Sequence, residues 1–361
     1  MVLRNNEVKI MKERSYYEEK NIENIKKLRE LEKELPPFVT TFFRGIEPHT
    51  ASRTRIAYAI DLKVFFEFVR NSNPIYKEKS LRDLDFELIK TLQALDIEEY
   101  LEYLKYYIGP DGKEITNSEA GIKRKLSALR SFYNYFHSHQ YIDTNPTLQV
   151  RMPKLHEKNI IRMDENEVVE FLDTVESGNK LTKNQMAYHK KTKVRDLALT
   201  TLLLGTGIRV SECVGLNIND VDFNNDRINI TRKGGYESFV YFGEEVRDAL
   251  LEYLKERNKM IPSDGHENAL FLSNRMQRIS VRNVEVLVKK YASSSVVTKK
   301  ITPHKLRSTY GTQLYKETGD IYLVADVLGH KDVNTTKKHY AALEEERRRS
   351  AKDLVILREK K

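Results

Sequence analysis

The residues best suited to chemistry lie in one stretch, TPHKLRSTYGTQLYKETGDIYLVADVLGHKDVNTTKKHY, which spans residues 302–340. It contains His304 and Arg307 three residues apart, His330 directly after a Leu-Gly pair, and Tyr340 ten residues later. An imidazole can move a proton, a guanidinium matches phosphate oxygens with a fork of donors, and a phenol can act as a covalent nucleophile. These groups suit attack on a phosphodiester, whose growing negative charge must be neutralised.

Helix starts and ends are predicted to position these side chains. Thr302 and Pro303 are typical of an N-cap followed by the first residue of a helix. The first turns of that helix would place His304 and Arg307 on one face, because residues three apart are neighbours on a helix surface. The unpaired N–H groups and the positive dipole end at this helix start suit a phosphate.

Two further helices are predicted after this one. Residues 320–328 form an apolar stripe at helical spacing and would end at Gly329 in a left-handed cap, which aims His330. A third helix over about 333–343 would carry Tyr340. One imidazole, one guanidinium, a second imidazole and a phenol therefore extend from three consecutive helices.

Two motifs precede this stretch in the chain. They are GTGIRVSE, which contains Arg209, and TRKGG, which contains Lys233. With HKLR, LGH and Tyr340 they resemble the tyrosine recombinase, or phage integrase, family, most clearly over residues 194–343. Within it, the chain is most similar to bacterial Xer-type recombinases. The resemblance implies a site-specific enzyme that cuts and rejoins duplex DNA through a 3′-phosphotyrosyl intermediate, as a tetramer, via a Holliday junction.

The resemblance also assigns the electrostatic part of the site. Arg209 and Arg307 would neutralise the charge that grows on the phosphate, and His330 would add a further donor. Glu212, in the first of these motifs, is expected to orient Arg209 or His304 from behind.

The resemblance assigns the bond-making and proton-transfer steps to the remaining residues of the set. Tyr340 would attack phosphorus, His304 would accept the phenolic proton, and Lys233 would protonate the departing 5′ oxygen. We expect no cofactor. His304, His330 and His339 have no carboxylate or cysteine at ligand spacing, and the arginine beside His304 would repel a metal cation.

Composition is consistent with this chemistry. Lys and Arg number 62 against 53 Asp and Glu, a net charge of +9, which favours a nucleic-acid partner or simply a solvated basic surface. Cys213 is the only cysteine, so no intrachain disulfide can form, and its apolar surroundings predict a small buried side chain. No signal peptide or membrane span is evident, so we expect a cytoplasmic protein with no membrane contact.

The predicted fold is mainly α. The resemblance implies a helical, SAM-like core-binding domain followed by a mixed α/β catalytic domain of the DNA breaking-rejoining type with a small antiparallel sheet. The expected boundaries are a helical extension over 1–37, the core-binding domain over 38–150, a linker over 151–163, the catalytic domain over 164–345 and a tail over 346–361. The extension would either pack on the next domain or form an added arm that contacts DNA or a partner.

Apolar periodicity predicts helices over 50–69, 96–107 and 117–137 in the first domain. The outer face of the third would carry a basic group, Lys123, Arg124, Lys125 and Arg130, which is either solvated or in contact with DNA phosphates. The motifs that follow favour DNA contact. In the second domain, the polar, lysine-rich residues 177–193 are predicted to form a loop, and two strands are predicted over 227–232 and 238–242.

Two other functions remain open. A type IB topoisomerase uses the same residue types, and a DNA-binding protein could hold sites together without cutting. The tail favours the recombinase, because its apolar Leu354, Val355 and Leu357 would dock on a neighbouring protomer; alternatively they fold back on their own domain. The expected partners are double-stranded DNA at a specific target site and three further copies of the chain, with room for an accessory DNA-bending or translocase protein.

Overall fold

The computed structural model describes residues 14–156, 161–232, 235–330 and 332–333. The chain divides into two compact units, Met1–Glu157 and Lys158–Lys361. Lys233, Tyr340, the helix predicted after Val333 and the tail over 346–361 lie outside the described residues. The finer domain boundaries given above remain predictions.

The first unit is a helical bundle with one small hairpin. Its helices are α1 Tyr16–Glu32, α2 Phe38–Ile46, α3 Ser52–Ser72, α4 Glu87–Thr91, α5 Ala94–Tyr103 and α6 Glu119–Ser138. The core between them is rich in aromatic rings, and Phe42, Phe66 and Phe132 are each fully buried there. These rings meet edge to face, the arrangement that aromatic quadrupoles favour.

The N-terminal helix packs on this unit. Leu28 of α1 belongs to the aromatic core, and Asn24 donates a hydrogen bond of 3.2 Å to the hydroxyl of Ser52 at the start of α3. Of the two interpretations of the extension, the structure therefore supports packing for the part of it that is described.

The helix predicted over 96–107 is too long. α5 ends at Tyr103, and residues 106–108 instead form strand β1, which pairs antiparallel with β2, Glu114–Thr116. The amide of Asn117 caps the helix end by donating to the Leu104 carbonyl at 2.8 Å. The following turn, closed by a hydrogen bond from the Gly112 N–H to the Gly109 carbonyl, then brings the two strands together.

The second unit combines helices with a three-stranded antiparallel sheet in the order β3-β4-β5. Its elements are α7 Glu165–Ser177, α8 Lys183–Thr206, α9 Val210–Gly215, β3 Val221–Asp222, β4 Arg227–Thr231, β5 Glu237–Tyr241, α10 Glu244–Arg257, α11 Val281–Ser295, α12 Pro303–Thr318 and α13 Ile321–Leu328. Helix α8 packs against α7, α10 and α12. The predicted fold class is confirmed.

No helix among the described residues is long and apolar enough to cross a membrane.

The loop predicted over 177–193 is wrong for most of its length, because α8 begins at Lys183 with a Thr182 cap. The buried face of this half of the helix is polar. His189 is 2% exposed and its ring lies 3.0 Å from the Tyr291 hydroxyl, and the buried Thr192 donates a hydrogen bond to Asp196 at 2.9 Å. Apolar periodicity could not detect a helix whose buried positions are hydrogen-bonded polar side chains.

Candidate active site

The site is built around the C-terminal end of α13. Gly329 adopts a left-handed conformation with φ 61°, as the sequence predicted for the cap. Its N–H donates to the Asp326 carbonyl at 2.8 Å, and the N–H of His330 donates to the Ala325 carbonyl at 2.9 Å. This pair of hydrogen bonds is a Schellman motif, and it fixes the backbone from which the His330 side chain extends.

Three arginines cap the carbonyls that the Schellman motif leaves unpaired. The donors are Arg232 Nη2 to the Val327 carbonyl at 3.1 Å, Arg307 Nη2 to the Leu328 carbonyl, and Arg209 Nη2 to the Gly329 carbonyl at 3.1 Å. The end of a helix carries the negative pole of its dipole, so it stabilises a group of cations that would otherwise repel one another.

Arg209 reaches this position from the turn after α8. The turn passes through Gly207 in a left-handed conformation, and Arg209 then caps the N-terminus of α9. Glu212, which is almost fully buried, receives the Arg209 Nη1 donor at 2.8 Å and its backbone N–H at 2.7 Å. The Arg209 side chain remains 34% exposed, so it is oriented by protein on one side and accessible to a ligand on the other.

Arg307 lies deeper. Its residue exposure is 5%, and its Nη1 donates to the Gly207 carbonyl at 2.7 Å while Nη2 donates to Leu328. It therefore joins the carbonyl ends of two helices, α8 and α13. A guanidinium is always charged, so this contact holds a permanent positive charge at the floor of the site.

Helix α12 supplies both Arg307 and His304. Thr302 is the N-cap by backbone position, although its side chain makes no capping hydrogen bond, and Pro303 is the first helical residue. His304 is exposed in the first turn, and Arg307 follows one turn later. His330 is partly buried. The structure thus brings Arg209, Arg307 and the backbone of His330 together and leaves His304 on the surface of the same helix as Arg307.

Burial and neighbouring charges together set the pKa of Arg232. Burial lowers the pKa of Arg232, Glu212 opposes that shift, Arg209 adds to it, and Asp326 opposes it again. Arg209 and Arg307 are fixed, partly desolvated cationic donors, and such donors suit a phosphate group and its transition state.

Arg232 is absent from the residues that sequence analysis selects. It sits in TRKGG directly before Lys233, and a basic residue at a hairpin end is by default a solvated one. Its contact with the end of α13 follows from the tertiary structure, because β4 lies beside Val327, which is 95 residues later in the chain than Arg232.

The basic group on α6 differs from its prediction. Lys125 is buried rather than on the outer face, at 3.4 Å from a carboxylate oxygen of Asp61, and Arg124 donates to the same carboxylate at 2.5 Å. Burial raises the pKa of Asp61, and the two cations oppose that shift. These charges largely stabilise one another within the first unit.

The other two basic residues of this group, Arg130 and Lys123, have different surroundings. Arg130 donates to the carbonyls of Val150 at 2.6 Å and Thr147 at 3.3 Å, so it holds the segment that leaves the first unit. Lys123 is partly exposed on α6. DNA contact by this set remains a prediction, and it now concerns Lys123 and the exposed part of Arg124.

Cys213 is fully buried, as predicted, and burial raises the pKa of its thiol well above the usual range. A neutral buried thiol is a poor nucleophile. Among the described residues, no group of three or more histidine, cysteine or acidic side chains is arranged to hold a metal ion.

Comparison with known proteins gives the family of the chain. The profile of the phage integrase family matches residues 162–347. The chain is 33% identical over 314 residues to tyrosine recombinase XerC of Caldanaerobacter subterraneus subsp. tengcongensis, covering 84% of this chain and 82% of that protein. It is 30% identical over 335 residues to tyrosine recombinase XerS of Streptococcus agalactiae, covering 86% and 93% of the two chains.

Solved structures share the fold. The XerH site-specific recombinase bound to a palindromic difH substrate, in a post-cleavage complex, superposes with a TM-score of 0.61 at 18% identity over 84% of this chain and 79% of that one. The Tn1549 transposon integrase (residues 82–397 of that protein) in complex with circular intermediate DNA gives 0.59 at 19% identity over 83% of this chain and 93% of that one.

Proposed function

Because this chain belongs to the phage integrase family of tyrosine recombinases, we propose that it cuts and rejoins duplex DNA at a specific site through a covalent 3′-phosphotyrosyl intermediate. It is a site-specific recombinase, a DNA strand transferase of the Xer type. The covalent intermediate, the assembly and the roles of individual residues are the parts that experiment must test.

The observation that carries the proposal is the meeting of Arg209 and Arg307 on consecutive carbonyls at the end of α13. The two residues lie almost a hundred positions apart in the chain, yet both guanidiniums cap the same turn, directly before His330. Forks of donors held by protein need no reorganisation when charge develops on a phosphate. A surface ion-pair role does not explain why Arg307 is buried against backbone carbonyls.

In the proposed cleavage step, the Tyr340 oxygen forms a bond to phosphorus while the bond from phosphorus to the 5′ oxygen breaks. His304 takes the phenolic proton and Lys233 gives a proton to the leaving 5′ oxygen. Arg209, Arg307 and His330 stabilise the charge on the non-bridging oxygens. Rejoining is the reverse attack by a 5′ hydroxyl, so the energy of the broken bond is retained.

A nicked DNA substrate tests the function directly. Cleavage close to the nick releases a short fragment that cannot return, so the protein remains covalently attached. We expect a covalent adduct and, with a second duplex, strand-exchanged product. An adduct without exchange would indicate a topoisomerase, and the absence of any adduct would indicate a DNA-binding protein.

We further propose that the active form is a homotetramer on two DNA sites that exchanges strands in pairs through a Holliday junction. The tail over 346–361, whose apolar Leu354, Val355 and Leu357 lie among charged residues, would link neighbouring protomers. Chromosome resolution and mobile-element transfer are both consistent with the proposal.

We expect cleavage to survive removal of metal ions. The charge on the phosphate is met by fixed guanidiniums, and a metal cation would be repelled by the same group. Adduct formation should be unchanged in excess EDTA and unaffected by added Mg²⁺. Loss of adduct in EDTA with recovery on adding Mg²⁺ would contradict this mechanism.

Binding should weaken steeply with salt. A recombinase that covers its site with on the order of 6–10 phosphate contacts releases bound counterions, so log K should fall with a slope of about −5 to −9 against log salt. Fluorescence anisotropy from about 50 to 200 mM salt measures the slope. A slope near zero would contradict a DNA-binding role.

A further inference from the structure

Arg232 joins two parts of the site that are far apart in sequence. It follows β4, whose last residue is Thr231, and its Nη2 donates to the Val327 carbonyl at 3.1 Å. The side chain thus runs from the hairpin to the last turn of α13. The residue after it in the chain is Lys233, the proposed proton donor.

The approach of Arg232 to α13 is unusually close. A methyl group on Gly329 would overlap the Arg232 guanidinium. Gly329 therefore has two reasons to be glycine. Its φ of 61° disfavours a side chain, and the space where a side chain would begin is filled by Arg232.

The backbone of the hairpin is held at the same point. The N–H of Arg232 donates to the Tyr236 carbonyl at 2.7 Å, and the N–H of Gly235 donates to the Arg232 carbonyl at 3.0 Å. Arg232 is thus the last residue before the tip that is fixed through both its backbone and its side chain. Consecutive Cα atoms are about 3.8 Å apart, so fixing Arg232 limits how far from this point the next residue in the chain can lie.

We propose that Arg232 is a positioning residue that anchors the base of the Lys233 hairpin to the Gly329–His330 turn, so that the proton donor and the phosphate-binding arginines act on the same phosphate. This inference rests on the proposed function and adds a residue to it. Arg232 acts through Lys233 and the turn. Direct phosphate binding is disfavoured because its guanidinium lies against Gly329.

The test separates proton donation from phosphate binding by changing the leaving group. In a DNA with sulfur in place of the bridging 5′ oxygen, the departing thiolate needs no proton donor, since a thiol is far more acidic than an alcohol. We expect Arg232→Ala to slow adduct formation by about 10²-fold on ordinary DNA, the scale of a small misplacement of a reacting group. On the sulfur substrate its rate should approach that of the unsubstituted protein.

Matched variants calibrate the result. Lys233→Ala should show the same rescue by sulfur, and Arg232→Lys should retain more activity on ordinary DNA because it keeps the charge and one donor. Arg227→Ala, on the same strand, removes an arginine that pairs with Asp222 and lies over Phe239, and it should leave both rates unchanged. Thermal unfolding and DNA binding of each variant establish that it is folded.

Gly329→Ala provides a second, independent measurement. Its methyl group should displace the Arg232 side chain, so the variant should resemble Arg232→Ala and be rescued in part by the sulfur substrate. The double variant Arg232→Ala with Gly329→Ala should then be no slower than Gly329→Ala alone. Full additivity of the two losses would show that Arg232 does not act through this turn and would overturn the inference.

Other outcomes are equally decisive. An Arg232→Ala variant as fast as the unsubstituted protein on ordinary DNA, or one slowed equally on both substrates, overturns the positioning role. Failure of sulfur to rescue Lys233→Ala overturns it too, because Lys233 is then not the proton donor. If the unsubstituted protein forms no adduct with either DNA, the proposed function itself fails and the inference fails with it.

Discussion

Replacing Tyr340 by Phe is expected to abolish covalent protein–DNA adducts while leaving DNA binding unchanged. The phenylalanine ring can occupy the same space, but the oxygen that attacks phosphorus is gone. Removal of a covalent nucleophile that works with its partners costs on the order of 10⁶-fold in rate. Denaturing gel electrophoresis of protein incubated with the nicked substrate measures the adduct, and a gel shift under native conditions measures binding.

Other tyrosines of the second unit provide matched controls. Tyr322 of α13 is 71% exposed, and Tyr310 and Tyr315 lie on α12. Burial raises the pKa of Tyr310, which makes its phenolate harder to form. Tyr322→Phe should form adducts normally. An undiminished adduct with Tyr340→Phe would remove Tyr340 from the site, and Tyr310, Tyr315 and Tyr322 would then be tested in turn as the nucleophile.

Replacing Arg307 by Ala should reduce cleavage of ordinary DNA by about 10³-fold, at the upper end of the loss caused by removing one preorganised donor to a developing oxyanion. That loss corresponds to about 4 kcal/mol of transition-state stabilisation. The substitution also leaves the carbonyls of Gly207 and Leu328 without this partner. It should therefore lower the free energy of unfolding by roughly 1–3 kcal/mol, and adduct formation is compared below the unfolding temperature of the variant.

An uncharged phosphate isolates the electrostatic part of this effect. A methylphosphonate at the cleaved position carries no negative charge, so it does not need a cation to neutralise it. Arg307→Ala should cleave the methylphosphonate at a rate much closer to that of the unsubstituted protein. Equal loss on both substrates would mean that Arg307 supports only the fold. Arg307→Lys is expected to remain impaired on ordinary DNA, because an ammonium cannot span two carbonyls and a phosphate with the same fork.

Part of the site is a local property of the sequence. The helix that begins at Pro303, the helix that ends at Gly329 and the two longer strands of the sheet follow from residues within a few positions of each boundary. Local rules also place Arg307 one turn after His304. The resemblance to a known family adds the order of the motifs, and from it the candidate roles of Lys233 and Tyr340.

Two errors of the sequence analysis, the loop predicted over 177–193 and the outward-facing Lys125, have a common cause. The first half of α8 buries His189, whose ring contacts the Tyr291 hydroxyl on α11, and Lys125 is buried where Asp61 on α3 pairs with it. In both places, the partner that makes burial of a polar residue favourable lies on another helix. Hydrophobic periodicity assigns polar residues to the surface, so it cannot anticipate such pairs.

The sequence by itself therefore determined the fold class, the start of α12, the end of α13 and the identity of the arginines and histidines in the recognised motifs. Only the tertiary structure decided that Arg209, Arg232 and Arg307 share one helix end, and that Arg232 belongs there at all. The physical reason is that the unpaired carbonyls at the end of α13 carry partial negative charge and must be satisfied. Which side chains satisfy them depends on how α8, β4 and α12 pack around that end, which no local pattern encodes.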